Sequence, residues 1–304
     1  MIKKIKVKKS QENIRLDKWL KLNFSSLTQS FIEKNLRKKN ILLNGKVVIS
    51  KFKVAFNDEV LIYNYNSENY RHHPKVKKII NIPSKINYLY ESSIIQNNNN
   101  FFIIDKWSGI STQGGSKINI SIDSIIKNKS TNFNLVHRLD KDTSGLLIVA
   151  KNLEYTKIFG NLFKSQEIMK IYFALCQGKP NSSESFVELD VPSKENKKIA
   201  IQTQTYFKLL NYKNGISQLL FIPKTGKTHQ LRIVSKSLGC PIIGDRKYNH
   251  SEIFSNEELK LNAHILKFQI KSKKFNFQST IPEHFIKLIK KNNLKNFNNL
   301  NFDL

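Results

Sequence analysis

Residues 136–145 read VHRLDKDTSG and run directly into LLIVA, residues 146–150. The first segment gathers His137, Arg138, Asp140, Lys141, Asp142, Thr143 and Ser144 beside an apolar run of the kind that forms a buried strand. Polar groups set against a core are costly unless they are paired or used. The stretch therefore predicts a strand whose first residues border a functional site. Gly145 can supply a backbone conformation that other residues avoid.

Other apolar runs surround it. FFIIDKWSGI (101–110), KIYFALCQG (170–178), QLLFIP (218–223) and HILKFQI (264–270) read as strands. NLEYTKIFGNLFKSQE (152–167) and HQLRIVSKSLG (229–239) read as helices. Strands and helices mix without regular alternation, so a region from 86 to 290 is expected to be α+β. Residues 12–63 form a smaller domain. Leu16, Trp19 and Leu20 share one helical face, and Leu27, Phe31, Ile32 and Leu36 share another, with Thr28 as its N-cap. ILLNGKVV (41–48) reads as a hairpin turning at Asn44-Gly45, and Asn57-Asp58 marks a second turn. Residues 64–85, polar and carrying Pro74 and Pro83, read as a linker, with His72 and His73 as surface groups. Residues 291–304 read as a frayed, low-complexity tail.

Lys plus Arg number 51 and Asp plus Glu 23, a formal net charge of +28. Such a field draws polyanions, and nucleic acid is the first candidate. The abundance of Asn, Lys and Ile is also what an A/T-rich genome produces, so charge alone does not decide the matter. No run of about 18 apolar residues predicts a membrane span, and the basic start lacks the apolar core of a secretory signal. Cys176 and Cys240, the two cysteines, make neither a disulfide framework nor a metal cluster. A cytoplasmic protein is expected.

The ordered pattern RLDKWL…FIEKNLRKKNILLNGKVV…NDEVLIY resembles an S4 domain, a small RNA-binding module. The resemblance implies that Arg15, Lys34, Arg37, Lys38, Asn44, Gly45 and Lys46 lie near a basic face that meets structured RNA. HRLDKDTSG resembles the active-site signature of the RluA/RluC/RluD family of pseudouridine synthases. KIYFALCQG and TGKTHQLRIVSKSLGCPIIGDRKY (225–248) resemble two further motifs of that family, in the same order. The resemblance covers most of residues 88–268. Lys227, Cys240 and Asn262 depart from the residues frequent in the family. The implied fold is a catalytic domain with a mixed, largely antiparallel sheet, preceded by the S4-like domain. That pairing resembles the family's RluC and RluD branches, which implies large-subunit ribosomal RNA as substrate.

The resemblance implies Asp140, Tyr172 and Arg232 as active-site residues. Uridine becomes pseudouridine when the N1–C1′ bond breaks, the base turns and C5 joins C1′. No redox step is involved, so no cofactor is expected, nor any metal. A carboxylate suits glycosyl chemistry, either attacking the anomeric carbon or acting as a base toward a glycal. Inside a dry pocket it needs a cation to stay ionised, and Arg232 can grip it bidentately. Tyr172 offers a face for stacking on uracil and a hydroxyl. Flipping a nucleotide costs a few kcal/mol, and Arg138 either fills the vacated place or contacts phosphate. His137 is expected to order the loop and His229 to open a helix. A catalytically inactive RNA-binding assembly factor is the alternative, disfavoured by the intact Asp140, Tyr172 and Arg232. A hydrolytic glycosidase lacks a convincing second carboxylate, since Asp142 is not placed by sequence at either glycosidase spacing. A monomer acting on RNA away from any membrane is expected.

Overall fold

Helical spacing puts Leu16, Trp19 and Leu20 fully in the core of the first of two units, Met1–Ile79 and Ile80–Leu304. The computed structural model describes residues 1–71, 80–115, 118–192 and 199–297. The first unit contains β1 (Lys3–Lys6), α1 (Leu16–Asn23), α2 (Gln29–Arg37), β2 (Ile41–Leu43) and β3 (Glu59–Ile62). Its antiparallel sheet has the order β1-β3-β2. Thr28 caps α2, its Oγ1 accepting from Phe31 N at 3.2 Å. The Asn44-Gly45 turn forms, with φ of 50° and 73° and paired bonds between Leu43 and Lys46.

The hairpin expected over 41–48 stops there. Asn44 donates to Asp58 and accepts from Glu59 N, both at 2.7 Å, which ties β2 to β3 rather than to residues 47–49. The unit is also longer than residues 12–63. β1 pairs with β3, and Tyr65 and Tyr70 pack on Phe24 while Tyr70 also meets Phe31. Ser26 and Arg71 exchange hydrogen bonds. Aromatic burial thus claims residues 64–71, which a polar composition marked as linker. His72 and His73 lie outside the described residues.

The second unit contains α3 (Ser84–Ser92), β4 (Ile94–Asn97), β5 (Phe101–Lys106), α4 (Ile122–Lys129), β6 (Asn134–Leu135), β7 (Ser144–Ala150), α5 (Leu153–Lys164) and β8 (Met169–Gln177). It continues with β9 (Glu184–Pro192), β10 (Ala200–Lys213), β11 (Ile216–Pro223), α6 (Gln230–Ser237), β12 (Leu261–Ile270), β13 (Lys273–Gln278) and α7 (Glu283–Lys291). Its ten-stranded sheet runs β4-β5-β7-β12-β8-β11-β10-β9, with β13 on β12 and β6 on β7. All pairings are antiparallel except β7 with β12. The mixed, largely antiparallel sheet is the one expected.

β7 explains the apolar run that follows the opening motif. Leu147 and Val149 pack with Ile122, Ile125 and Ile126 of α4, while Leu146, Ile148 and Ala150 pack with Phe159 of α5. A strand covered on both faces has no polar side to alternate with. The tail is shorter than expected: Leu294 and Phe297 pack on the core, and Gln218 bonds to the Lys295 carbonyl. Residues beyond 297 lie outside the described residues. None of the described helices is long and apolar enough to cross a membrane.

Register aligns Lys106, Gly145, Ala263, Tyr172 and Phe221 in one row across β5, β7, β12, β8 and β11. At Gly145 φ is +106°, and a Cβ would fall 2.3 Å from the Ala263 carbonyl oxygen. Gly145→Ala is expected to destabilise the second unit by more than the ~1–3 kcal/mol of backbone strain alone, because the obstacle is backbone. A lowered urea midpoint is the expected result, and an unchanged one would contradict this account of the strand junction.

Candidate active site

The loop before β7 is held from below. Lys106, 1% exposed, donates its Nζ to the carbonyls of Trp107, Ile110 and Lys141 at 3.0, 3.1 and 3.1 Å. Burial pulls its pKa down to about 7, against the pull of Asp142 and Asp140. Thr112 Oγ1 donates to the Leu139 carbonyl at 2.7 Å and accepts from Leu139 N at 3.1 Å. His137 Nε2 accepts from Ile148 N at 2.9 Å, so its proton sits on Nδ1, and its ring packs on Phe163. Burial, helped by Lys170, takes its pKa down to about 3. A neutral His137 therefore orders the loop, as the sequence reading expects.

This scaffold presents Asp140, whose side chain is 25% exposed, to Arg232 in the first turn of α6. Arg232 Nη1 is 3.8 Å from Asp140 Oδ2. The fork expected between these two residues goes elsewhere. Arg232 Nε and Nη2 grip Asp245 at 2.7 and 2.6 Å, a bidentate pair, and leave Nη1 for Asp140. The reason is local. Asp245 Oδ1 also accepts from Lys247 N and Tyr248 N at 3.0 and 3.1 Å, so the turn after Gly244 preorganises this carboxylate as a receptor. Gly244 has φ of +77°, and a Cβ there would meet the Glu258 carbonyl oxygen at 2.2 Å. The Tyr248 ring lies 5.2 Å from the guanidinium. Burial would raise Asp245 and lower Arg232, but their hydrogen bonds win: Asp245 is held below its ordinary value and Arg232 above its own.

His229 opens α6 with φ of 57°, and its Nε2 lies 3.8 Å from Asp140 Oδ2. Burial lowers its pKa despite the pull of Asp140, so at neutral pH it borders the site uncharged. Tyr172 packs against two core clusters. Burial, then Asp140, pushes its hydroxyl pKa up, so the phenol stays protonated. Arg232 thus stands between two carboxylates, Asp245 in its fork and Asp140 at one corner.

Two cavities of 490 and 630 Å³ meet here, and Arg138, Leu139, Asp140, His229 and Arg232 line both. Tyr172 lines the smaller. Arg138 is exposed and donates to Gln113 at 3.4 Å. The second unit thus brings together Asp140, Tyr172, Arg232 and Arg138. Arg15, Lys34, Arg37, Lys38 and Lys46 stand in the first unit. Arg15 is held bidentately by the buried Asp17 at 3.1 and 2.6 Å, whereas the other four are exposed. Sequence reasoning missed Asp245 and Lys106. A buried arginine needs a partner, and Gly244-Asp245 within the third motif was the available signal.

Asp245→Asn leaves the guanidinium, 13% exposed, without its main partner. The expected loss is about 3–5 kcal/mol of stability at pH 7, measured by urea unfolding. The sign with pH follows from the lowered pKa. The pair contributes fully above Asp245's ordinary 3.8 and is lost as pH falls through the lower folded value. The gap between wild type and variant should therefore narrow in strong acid.

The family model described as RNA pseudouridylate synthase matches residues 100–237. A Rickettsia bellii protein named Ribosomal large subunit pseudouridine synthase C is 36% identical, the match covering 89% of this chain and 95% of that one. A Borreliella burgdorferi protein named Ribosomal large subunit pseudouridine synthase D is 32% identical, over 89% and 86%. The structure of Human RNA Pseudouridylate Synthase Domain Containing 4 shares the fold, with a TM-score of 0.62 at 20% identity over 70% of this chain and 97% of that one. With a carboxylate, a guanidinium and a tyrosine on one cavity, and these relatives spanning nearly all of its length, the chain belongs to the RNA pseudouridylate synthase family.

Proposed function

We propose that the protein isomerises uridines of large-subunit ribosomal RNA to pseudouridine, with Asp140 as the catalytic carboxylate. The observation that carries this reading is Asp140 at the junction of two cavities, with Nη1 of Arg232 at 3.8 Å. The names of the relatives at 36% and 32% identity support the substrate.

An everted uridine places its sugar at Asp140 and its base in the cavity lined by Tyr172. The N1–C1′ bond breaks, the retained uracil turns, C5 bonds to C1′, the C5 proton is released, and N1 takes up a proton. The positive charge that develops at C1′ meets the carboxylate, whose oxygen Oδ2 also faces Nη1 of Arg232 at 3.8 Å. The protonated Tyr172 stacks on the base and donates a hydrogen bond. Arg138, exposed at the mouth of both cavities, takes the place the uridine leaves and offsets part of the few kcal/mol of flipping. The isomerisation is redox-neutral and runs without a cofactor. The first unit acts as an S4-like anchor in which Lys34, Arg37, Lys38 and Lys46 contact phosphate. Arg15 braces α1 through Asp17 rather than reaching outward. The protein works in the cytoplasm, where ribosomes are assembled.

Asp140→Asn is expected to lower tritium release from 5-tritiated uridine RNA by at least about 10⁴-fold and to leave RNA affinity within a few-fold. Full activity would remove the mechanism. Changing Lys34, Arg37, Lys38 and Lys46 together to Gln is expected to flatten the dependence of log K on log[salt] by about 0.7–0.9 for each phosphate that is no longer neutralised. An unchanged slope in a titration from about 50 to 200 mM salt would mean these residues do not touch the backbone.

A further inference from the structure

We propose that Lys170 holds the phosphodiester next to the everted uridine, so that the inner wall of the smaller cavity is an anion subsite. This rests on reading that cavity as the seat of an RNA nucleotide.

Lys170 precedes Tyr172 by two residues in β8, so the two side chains leave the same face of the strand, about 6.7 Å apart along it. Both line the 490 Å³ cavity. Lys170 is partly buried, and no hydrogen-bond or ion-pair partner meets its ammonium among the described residues. Its pKa is lowered by burial, with no carboxylate offsetting the pull. The groups beside it cannot neutralise it: His137 is uncharged with its Nε2 occupied by Ile148 N, and Phe163 is apolar. Asp140 is the one carboxylate among the described residues lining this cavity. Lys164, Lys224 and Lys227 line the same cavity but are exposed, where water solvates them.

A cation drawn partly out of water without an anion is a standing cost. The cost is removed if the anion arrives with the substrate. Uracil and ribose are neutral, so in RNA the anion is a phosphate. Placement on the same face as Tyr172, one nucleotide's reach away, makes it a phosphate adjoining the base that Tyr172 stacks. Lys170 is thereby a binding residue that sets how far the strand enters the cavity.

The test uses synthetic RNA spanning a uridine mapped as modified, with each nearby phosphate in turn replaced by an uncharged methylphosphonate. In the wild type, one replacement is expected to lower kcat/KM by about 10- to 100-fold. Lys170→Met should lose a similar factor on unmodified RNA and be indifferent to that same replacement. Its salt slope should fall by about 0.7. Lys170→Arg should retain most of the activity. Wild-type tolerance of every replacement would overturn the inference, as would Lys170→Met showing the full drop at the sensitive phosphate. Failure of the functional reading itself looks different, since the wild type would then release no tritium from any RNA.

Discussion

One guanidinium between two carboxylates organises the site. Arg232 gives one edge, Nε and Nη2, to Asp245 and a single corner, Nη1, to Asp140. The division matters. A bidentate grip on Asp140 would immobilise it and cover its oxygens. A corner approach at 3.8 Å supplies field while leaving the carboxylate open to two cavities. Asp245, with no side-chain exposure and two backbone N–H donors of its own, fixes where that corner points. The open carboxylate and the carboxylate that fixes the guanidinium are thus separate acids sharing one cation.

The second constraint is the place where β7 and β12 run parallel. Only Ser144 with Asn262 and Gly145 with Ala263 pair there, and Asn262 reinforces the junction by donating to Ser144 Oγ at 2.9 Å. The amide of Asn262 serves as a short bridge between the two strands. Because Ala263 also pairs with Tyr172, this junction sets the separation of the Asp140 loop from the tyrosine. The lack of a Cβ at Gly145 is what lets the strands approach.

Much of this was legible in the chain, for definable reasons. β5, β7, β8, β11 and β12 are apolar runs, and α1, α2, α5 and α6 carry helical spacing, so burial and pattern agree. The β9–β10 hairpin hides because it inverts the rule: Thr203 and Thr205 are buried while Phe186 is 65% exposed. Tyr65 and Tyr70 hid in a polar stretch whose composition outweighed two aromatics. The motifs placed Asp140, Tyr172, Arg232 and Arg138 together, as the cavity does. Asp245 did not stand out because its pairing spans thirteen residues across a turn with no periodicity to reveal it. Lys106 ends an apolar strand, a position that sequence alone reads as the way out to solvent rather than a buried clamp on three carbonyls.

Charge is distributed unevenly over the chain. The chain as a whole is strongly basic, at +28, while two carboxylates, Asp140 and Asp245, face the guanidinium of Arg232. A uniformly positive cleft would bind the RNA backbone well and oppose the positive charge that grows on C1′ as the glycosidic bond lengthens. Here Lys164, Lys170, Lys224 and Lys227 line the smaller cavity, and Asp140 lines both cavities. Affinity for the strand and stabilisation of the transition state call for opposite signs within a few ångströms. Arg232 joins the two carboxylates, its fork on Asp245 and one corner toward Asp140.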